Sequence, residues 1–220
     1  MKEYYKDGTC CECDEMTRGY HLTSGNIQFE IPYVGGYKCG MQKCYYSSGE
    51  LLCETPYKNS GKRDGISKGY YASGVLCYEI PYLNDKENGI KKEYYKSKIL
   101  ERETFFVNGE EHGIEKYYYE NGILKWETPY ENGRENGVYK EFYESGAIKW
   151  EIPFVNGEYD GVVNKYSNSG ILLLEIPYKD NKEHGKTNKY YEETGALQYE
   201  ERYNNGVLLN RRNNNQENEL

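Results

Sequence analysis

The chain has 220 residues, a formal net charge of −8 at pH 7 and a mean hydropathy of −1.00. Tyrosine, at 27 residues against 5 Phe and 2 Trp, carries most of the aromatic area, and a ring with a polar tip suits a half-buried position better than a thick core. The acid excess, with no basic run before Arg211-Arg212, argues against a nucleic-acid binder, and the lack of any apolar stretch near 18 residues excludes a membrane-spanning helix.

The first residues, MKEYYKDGTC, lack the apolar stretch that directs secretion. The seven cysteines all precede residue 78 and form no framework across the chain, which points to a reduced, cytoplasmic setting. Cys10, Cys11 and Cys13 are the one metal-like cluster, but they lack the paired Cys-x-x-Cys spacing of zinc modules. The preferred reading is no metal and no cofactor, with Cys39, Cys44, Cys53 and Cys77 as small buried side chains at ordinary repeat positions. Zinc capping of a degenerate first unit, residues 1–19, is the alternative.

From residue 20 to 209 the chain repeats itself. Gly25, Gly49, Gly74, Gly122, Gly146, Gly170 and Gly195 recur every 24 or 25 residues, with Lys98 in the one missing slot. A second glycine keeps the same beat (Gly40, Gly65, Gly89, Gly113, Gly137, Gly161, Gly185), and so do Pro32, Pro56, Pro81, Pro129, Pro153 and Pro177. Each unit reads as two strands around a tight turn. In "GIEKYYYENGILKWETPY" a two-residue turn at Asn121-Gly122 sets Tyr119 opposite Leu124, Tyr117 opposite Trp126 and Lys116 opposite Glu127. The last pairing recurs as Lys43–Glu54, Lys68–Glu79, Lys92–Glu103 and Lys140–Glu151, so one face is a charged ladder in water. Proline marks the end of each hairpin. The link "ENGREN" is short and turn-rich, so the next unit starts antiparallel. Residues 210–220 are polar and read as a disordered tail.

The predicted fold is all-β: an elongated single-layer antiparallel meander of eight to nine stacked β-hairpins, free to twist or coil over itself. A period of two gathers the apolar side chains on the other face. They include Ile27, Leu76, Leu124, Ile148 and Leu172, and the aromatic row Tyr33, Tyr57, Tyr71, Tyr78, Tyr82, Tyr95, Tyr119, Trp126, Tyr130, Tyr143, Trp150, Phe154 and Tyr178. That row is the candidate protein-binding face.

No catalytic set emerges, and the chain reads as a non-enzyme. His112 and His184 precede second glycines, where other units carry Asp64, Asn88, Asn136 or Asp160, residues that tolerate turns. His21 stands in a tyrosine slot. "NSGKRDG" lacks the upstream glycine of a phosphate-binding loop.

The cadence of Tyr45-Tyr46, Gly49, Leu51, Glu54, Pro56, Tyr57, Gly61 and Gly65 resembles the MORN repeat, in the variant found in bacterial proteins of the YwqK-like antitoxin family. The resemblance covers about residues 20 to 206. It implies stacked hairpins and a role in protein interaction or in neutralising a toxin. The expected partner is therefore another protein. Nucleic acid is not expected, and a lipid surface is disfavoured by the negative charge. Self-association through end strands is the third reading.

Overall fold

The computed structural model describes residues 13–214. The chain forms two compact units, Met1–Glu110 and Glu111–Leu220. All regular structure among the described residues is β-strand, and the pairings within each unit are antiparallel hairpins.

In the first unit Glu15–Tyr20 pairs with Ile27–Val34, Gly40–Tyr45 with Leu51–Tyr57, Gly65–Tyr70 with Leu76–Leu83, and Gly89–Tyr94 with Leu100–Val107. Each hairpin also pairs with the next: Glu30 with Lys43, Glu54 with Lys68, Glu79 with Lys92. In the second unit the hairpins are Gly113–Tyr118 with Leu124–Glu131, Gly137–Phe142 with Ile148–Val155, Gly161–Tyr166 with Leu172–Lys179, and Gly185–Tyr190 with Leu197–Asn204. A last strand, Val207–Asn213, pairs with Leu197–Asn204. The repeat count read from the glycines is thus met by eight hairpins. The boundaries differ from expectation: the first hairpin opens at Glu15, and residues 210–213 continue a strand. The rest of the expected first unit, and residues 215–220, lie outside the described residues.

The two Asn-Gly pairs of a unit make different turns. At the first, only Gly122 has positive φ, +84°. Gly122 N donates to Tyr119 O at 2.8 Å, and Tyr119 N donates to Ile123 O at 2.8 Å. Three residues, Glu120 to Gly122, therefore form the loop. The strands regain the expected register by a bulge: Tyr118 lies opposite Leu124, but Tyr117 lies opposite Trp126. Lys116 still meets Glu127, and the four other lysine–glutamate pairings hold as predicted. Tyr119, however, faces Ile123 rather than Leu124. The two-residue turn sits instead in the link. Asn132 and Gly133 have φ of 52° and 73°, Glu131 pairs with Arg134, and this doubly left-handed turn matches the twist of its flanking strands.

Proline and the second glycine are one device. The residue before that glycine returns a bond to the proline carbonyl, as Asn136 N does to Pro129 O at 2.9 Å. A Cβ on Gly137 would lie 2.7 Å from Pro129 Cγ, and one on Gly161 2.8 Å from Pro153 Cγ. The proline ring thus occupies the space a side chain would need, so Pro and Gly recur together.

Lys98 holds the turn slot at φ 70°, a conformation that costs a non-glycine residue on the order of 1–2 kcal/mol. After the entropy that glycine adds to the unfolded chain, Lys98→Gly is expected to raise stability by about 0.5–1 kcal/mol. Gly122→Ala is expected to lower it by about 1 kcal/mol or more. Urea-denaturation midpoints moving in opposite directions for the two variants would bear this out; equal or reversed shifts would refute it.

Candidate functional site: the aromatic face

Each unit builds its aromatic face from the same positions. In the second unit Tyr117 stacks on Trp126 at 5.3 Å between centroids and 12° between planes, and Trp126 lies 6.4 Å from Tyr139. Tyr159 meets Phe154 edge-on at 4.9 Å and Tyr178 at 5.4 Å. The predicted residues Tyr33, Tyr57, Tyr71, Tyr78, Tyr82, Tyr95, Tyr119, Trp126, Tyr130, Tyr143, Trp150, Phe154 and Tyr178 are all half-buried, none sealed and none fully exposed. Ser67, Thr104, Glu115, Thr128, Val163 and Thr187 lie on the same face, each at 5 % exposure or less. The face therefore combines half-buried rings with buried side chains that are mostly small or polar.

Hydroxyl ladders fix the rings. Tyr46 donates to Tyr70 O and Tyr71 to Tyr94 O, both at 2.8 Å; Tyr119 donates to Phe142 O and Tyr143 to Tyr166 O, both at 2.9 Å. Each such bond joins one hairpin to the next. His21, in the same slot, places Nε2 2.9 Å from Tyr45 O, so it serves as the substituted rung that its position predicts. Ser167 also occupies the slot but is too short to cross; its hydroxyl accepts from Ile171 N within its own turn. A second ladder runs on the charged face. Tyr45, Tyr70, Tyr94, Tyr166 and Tyr190 donate to Glu30, Glu54, Glu79, Glu151 and Glu175 of the preceding hairpin. Sequence reasoning saw Glu54, Glu79 and Glu151 as partners of lysine alone. The paired tyrosines of "YY" were the available signal, because adjacent strand residues point to opposite faces.

The bulge also corrects the face assignment. It pairs Leu124 with Tyr118 and Leu172 with Tyr166, whose hydroxyl binds Glu151. Directly opposed residues share a face, so Ile27, Leu76, Leu124, Ile148 and Leu172 lie on the charged face rather than among the aromatics. In exchange, the residue after each leucine turns toward the rings. Lys125 Nζ lies 5.2 Å from the Tyr117 ring and 5.5 Å from that of Tyr119. Lys149 lies 5.7 Å from the Tyr143 ring and binds Glu141 at 2.8 Å. The aromatic face thus carries cations that a strict period of two hides.

The charged face is less polar than expected. Ile66, Ile90, Ile114, Val138 and Val162 stand on it at 43–52 % exposure, opposite Pro81, Phe105, Pro129, Pro153 and Pro177. Ile114 precedes Lys116 by two residues, so the alternation already placed it there.

Cys13 is bonded to Cys39, which is fully buried. That bond takes the Cys13 sulfur out of the thiolate set allowed as an alternative; Cys10 and Cys11 lie outside the described residues. Cys44 and Cys53 are free and directly opposed. No group of three or more His, Cys, Asp or Glu side chains arranged to hold a metal occurs among the described residues. His112 and His184 are exposed beside their turns.

Residues 38–59, 63–84, 111–132 and 135–156 match the family model of the MORN repeat variant. Each matched stretch runs through one complete hairpin into the following link, and the unmatched hairpins share its register and bulge. No characterised protein gives a significant sequence match to the chain.

Burial, then donation to a glutamate, pushes the phenols of Tyr45, Tyr70 and Tyr190 from 10.0 up to about 12, and burial pushes Tyr139 as far. A folded-state pKa above the unfolded one contributes stability that is full below the unfolded value and lost as pH rises through the folded one. The thermal midpoint is therefore expected to fall between about pH 10 and 12, with part of the tyrosinate absorbance appearing only as the protein unfolds. Ionisation of all tyrosines together near pH 10, with the midpoint unchanged, would contradict the ladder.

Proposed function

We propose that this repeat protein binds another protein along its aromatic face. One observation carries the reading: within each unit a row of half-exposed Tyr, Trp and Phe side chains is braced by tyrosine bonds from one hairpin to the next. Tyrosine and tryptophan supply large contact area at small entropic cost, and repeat arrays present such rows as continuous recognition surfaces. Within that class, the resemblance to the antitoxin family suggests that the bound protein is a toxin and that binding neutralises it. The chemistry needed is coverage of a surface rather than turnover.

The test is co-expression with the product of the adjacent gene. The expected result is a complex that survives size-exclusion chromatography and restores growth. Trp126→Ala with Trp150→Ala should weaken that complex at least about tenfold, while circular dichroism retains the β signal. A complex indifferent to both substitutions would move the binding surface elsewhere; neither complex nor rescue would end the neutralisation reading.

A further inference from the structure

In the second unit the aromatic face opens into a groove of about 490 Å³, a size typical of clefts that hold a ligand or a side chain. Tyr139, Trp150, Phe154, Tyr159 and Tyr178 provide its walls, and Glu135 and Glu141 its acid groups. Two units of the repeat show what can sit beside such rings. In the first unit the residue one link before Tyr57 is Lys38, whose Nζ lies 5.0 Å from that ring. The residue one link before Tyr82 is Arg63, whose Cζ lies 4.0 Å from that ring. The equivalent residue before Phe154 is Glu135. Glu87 and Glu111 hold the same place before Phe106 and Tyr130, so the cation belongs to two units, and beside Phe154 a carboxylate stands in its place.

The remaining charges at the groove are already engaged. Glu141 is bound by Lys149 at 2.8 Å, and Lys165 lies over Trp150 at 5.1 Å. Glu135 is half-buried, and among the described residues no cation pairs with it. Burial, and then the nearby Glu115, push its carboxyl above the usual range. A positive group brought from outside would relieve both effects and meet the negative faces of the rings. The net charge of −8 favours approach of a basic partner.

We propose that this groove receives an arginine side chain from an extended segment of the partner protein, its guanidinium lying against the Phe154, Tyr159 and Tyr178 rings and paired with Glu135. Arginine fits better than lysine because its planar fork can stack on a ring and bind a carboxylate together, as Arg63 stacks on Tyr82. The inference rests on the reading of the aromatic face as a protein-binding surface and gives that surface a chemical preference.

The probe is a blocked tripeptide, acetyl-Gly-Arg-Gly-amide, with the citrulline peptide as its uncharged equivalent. Trp126→Phe leaves Trp150 as the sole tryptophan, so its fluorescence and indole resonance report the groove. The arginine peptide should shift both saturably, and the shift should weaken as salt rises. The citrulline peptide and the Glu135→Gln variant should each bind about tenfold more weakly. Glu135→Arg should abolish binding, because it sets beside Phe154 the kind of cation that Arg63 sets beside Tyr82; unchanged circular dichroism shows that each variant is folded. Equal binding of the two peptides, or binding unaffected by Glu135→Gln or Glu135→Arg, overturns the proposal. A partner complex lost with Trp150→Ala but kept with Glu135→Arg would also overturn it, while leaving the broader reading of the face intact.

Discussion

The rest of this structure depends on a hydrogen bond from a tyrosine hydroxyl to the hairpin that follows it. A hairpin alone is marginal in water, and this chain contains few aliphatic residues with which to build a core. Tyr46, Tyr71, Tyr119 and Tyr143 compensate by tying their hairpins to the backbone of the next. Ser67, Glu115, Thr128 and Thr187 are buried on the same face, while the rings remain half-exposed. Under the proposed reading, packing and recognition use the same atoms. This explains why tyrosine, not phenylalanine, dominates: phenylalanine would supply the ring but could not bond the neighbour.

The two faces use the same residue for different ends. On the aromatic face the hydroxyl reaches a carbonyl, and the ring lies beside lysine or arginine. On the charged face the hydroxyl reaches a glutamate; Glu54, Glu79 and Glu151 also stand opposite a lysine of their own hairpin, and Glu30, Glu54 and Glu79 opposite a lysine of the next. Each such glutamate joins strands from two hairpins. Surface ion pairs alone contribute little, but a carboxylate that also accepts from a half-buried phenol defines register as well as charge. Register matters in a strand, because a slip by one residue turns every side chain to the opposite face.

Much of this was legible in the sequence. The glycine and proline beats give the hairpins, and the Lys116–Glu127 pairing survives although the turn that predicted it has another form. It survives because the three-residue loop and the bulge cancel: the loop takes one residue more from the turn, and the bulge restores it at Lys125. Cancellation of that kind leaves distant pairings intact and moves only the residues between, so Leu124 and its counterparts were placed on the wrong face. The cysteine bond was not legible, because Cys13 and Cys39 are 26 residues apart and nothing in the spacing brings them together. The groove was not legible either. Trp150, Phe154 and Tyr178 stood in the expected row but Tyr139 and Tyr159 did not, and Glu135, at the place where two other units carry Lys38 and Arg63, acquires meaning only when each is seen beside the ring one link later.

The inter-hairpin bonds have a consequence for how such a chain can change length. Within each unit every rung of the aromatic-face ladder joins a position to the backbone beside its counterpart one repeat later. Duplicating or deleting a whole repeat leaves every surviving rung with an equivalent partner, so growth in quanta of 24 or 25 residues preserves the pattern. A single inserted residue has no such refuge inside a strand, where it exchanges the faces up to the next turn. The tyrosine rung is thus a ruler as well as a clasp: it permits whole-repeat changes and penalises fractional ones, and it lets a chain lengthen its aromatic face by copying a segment that already fits.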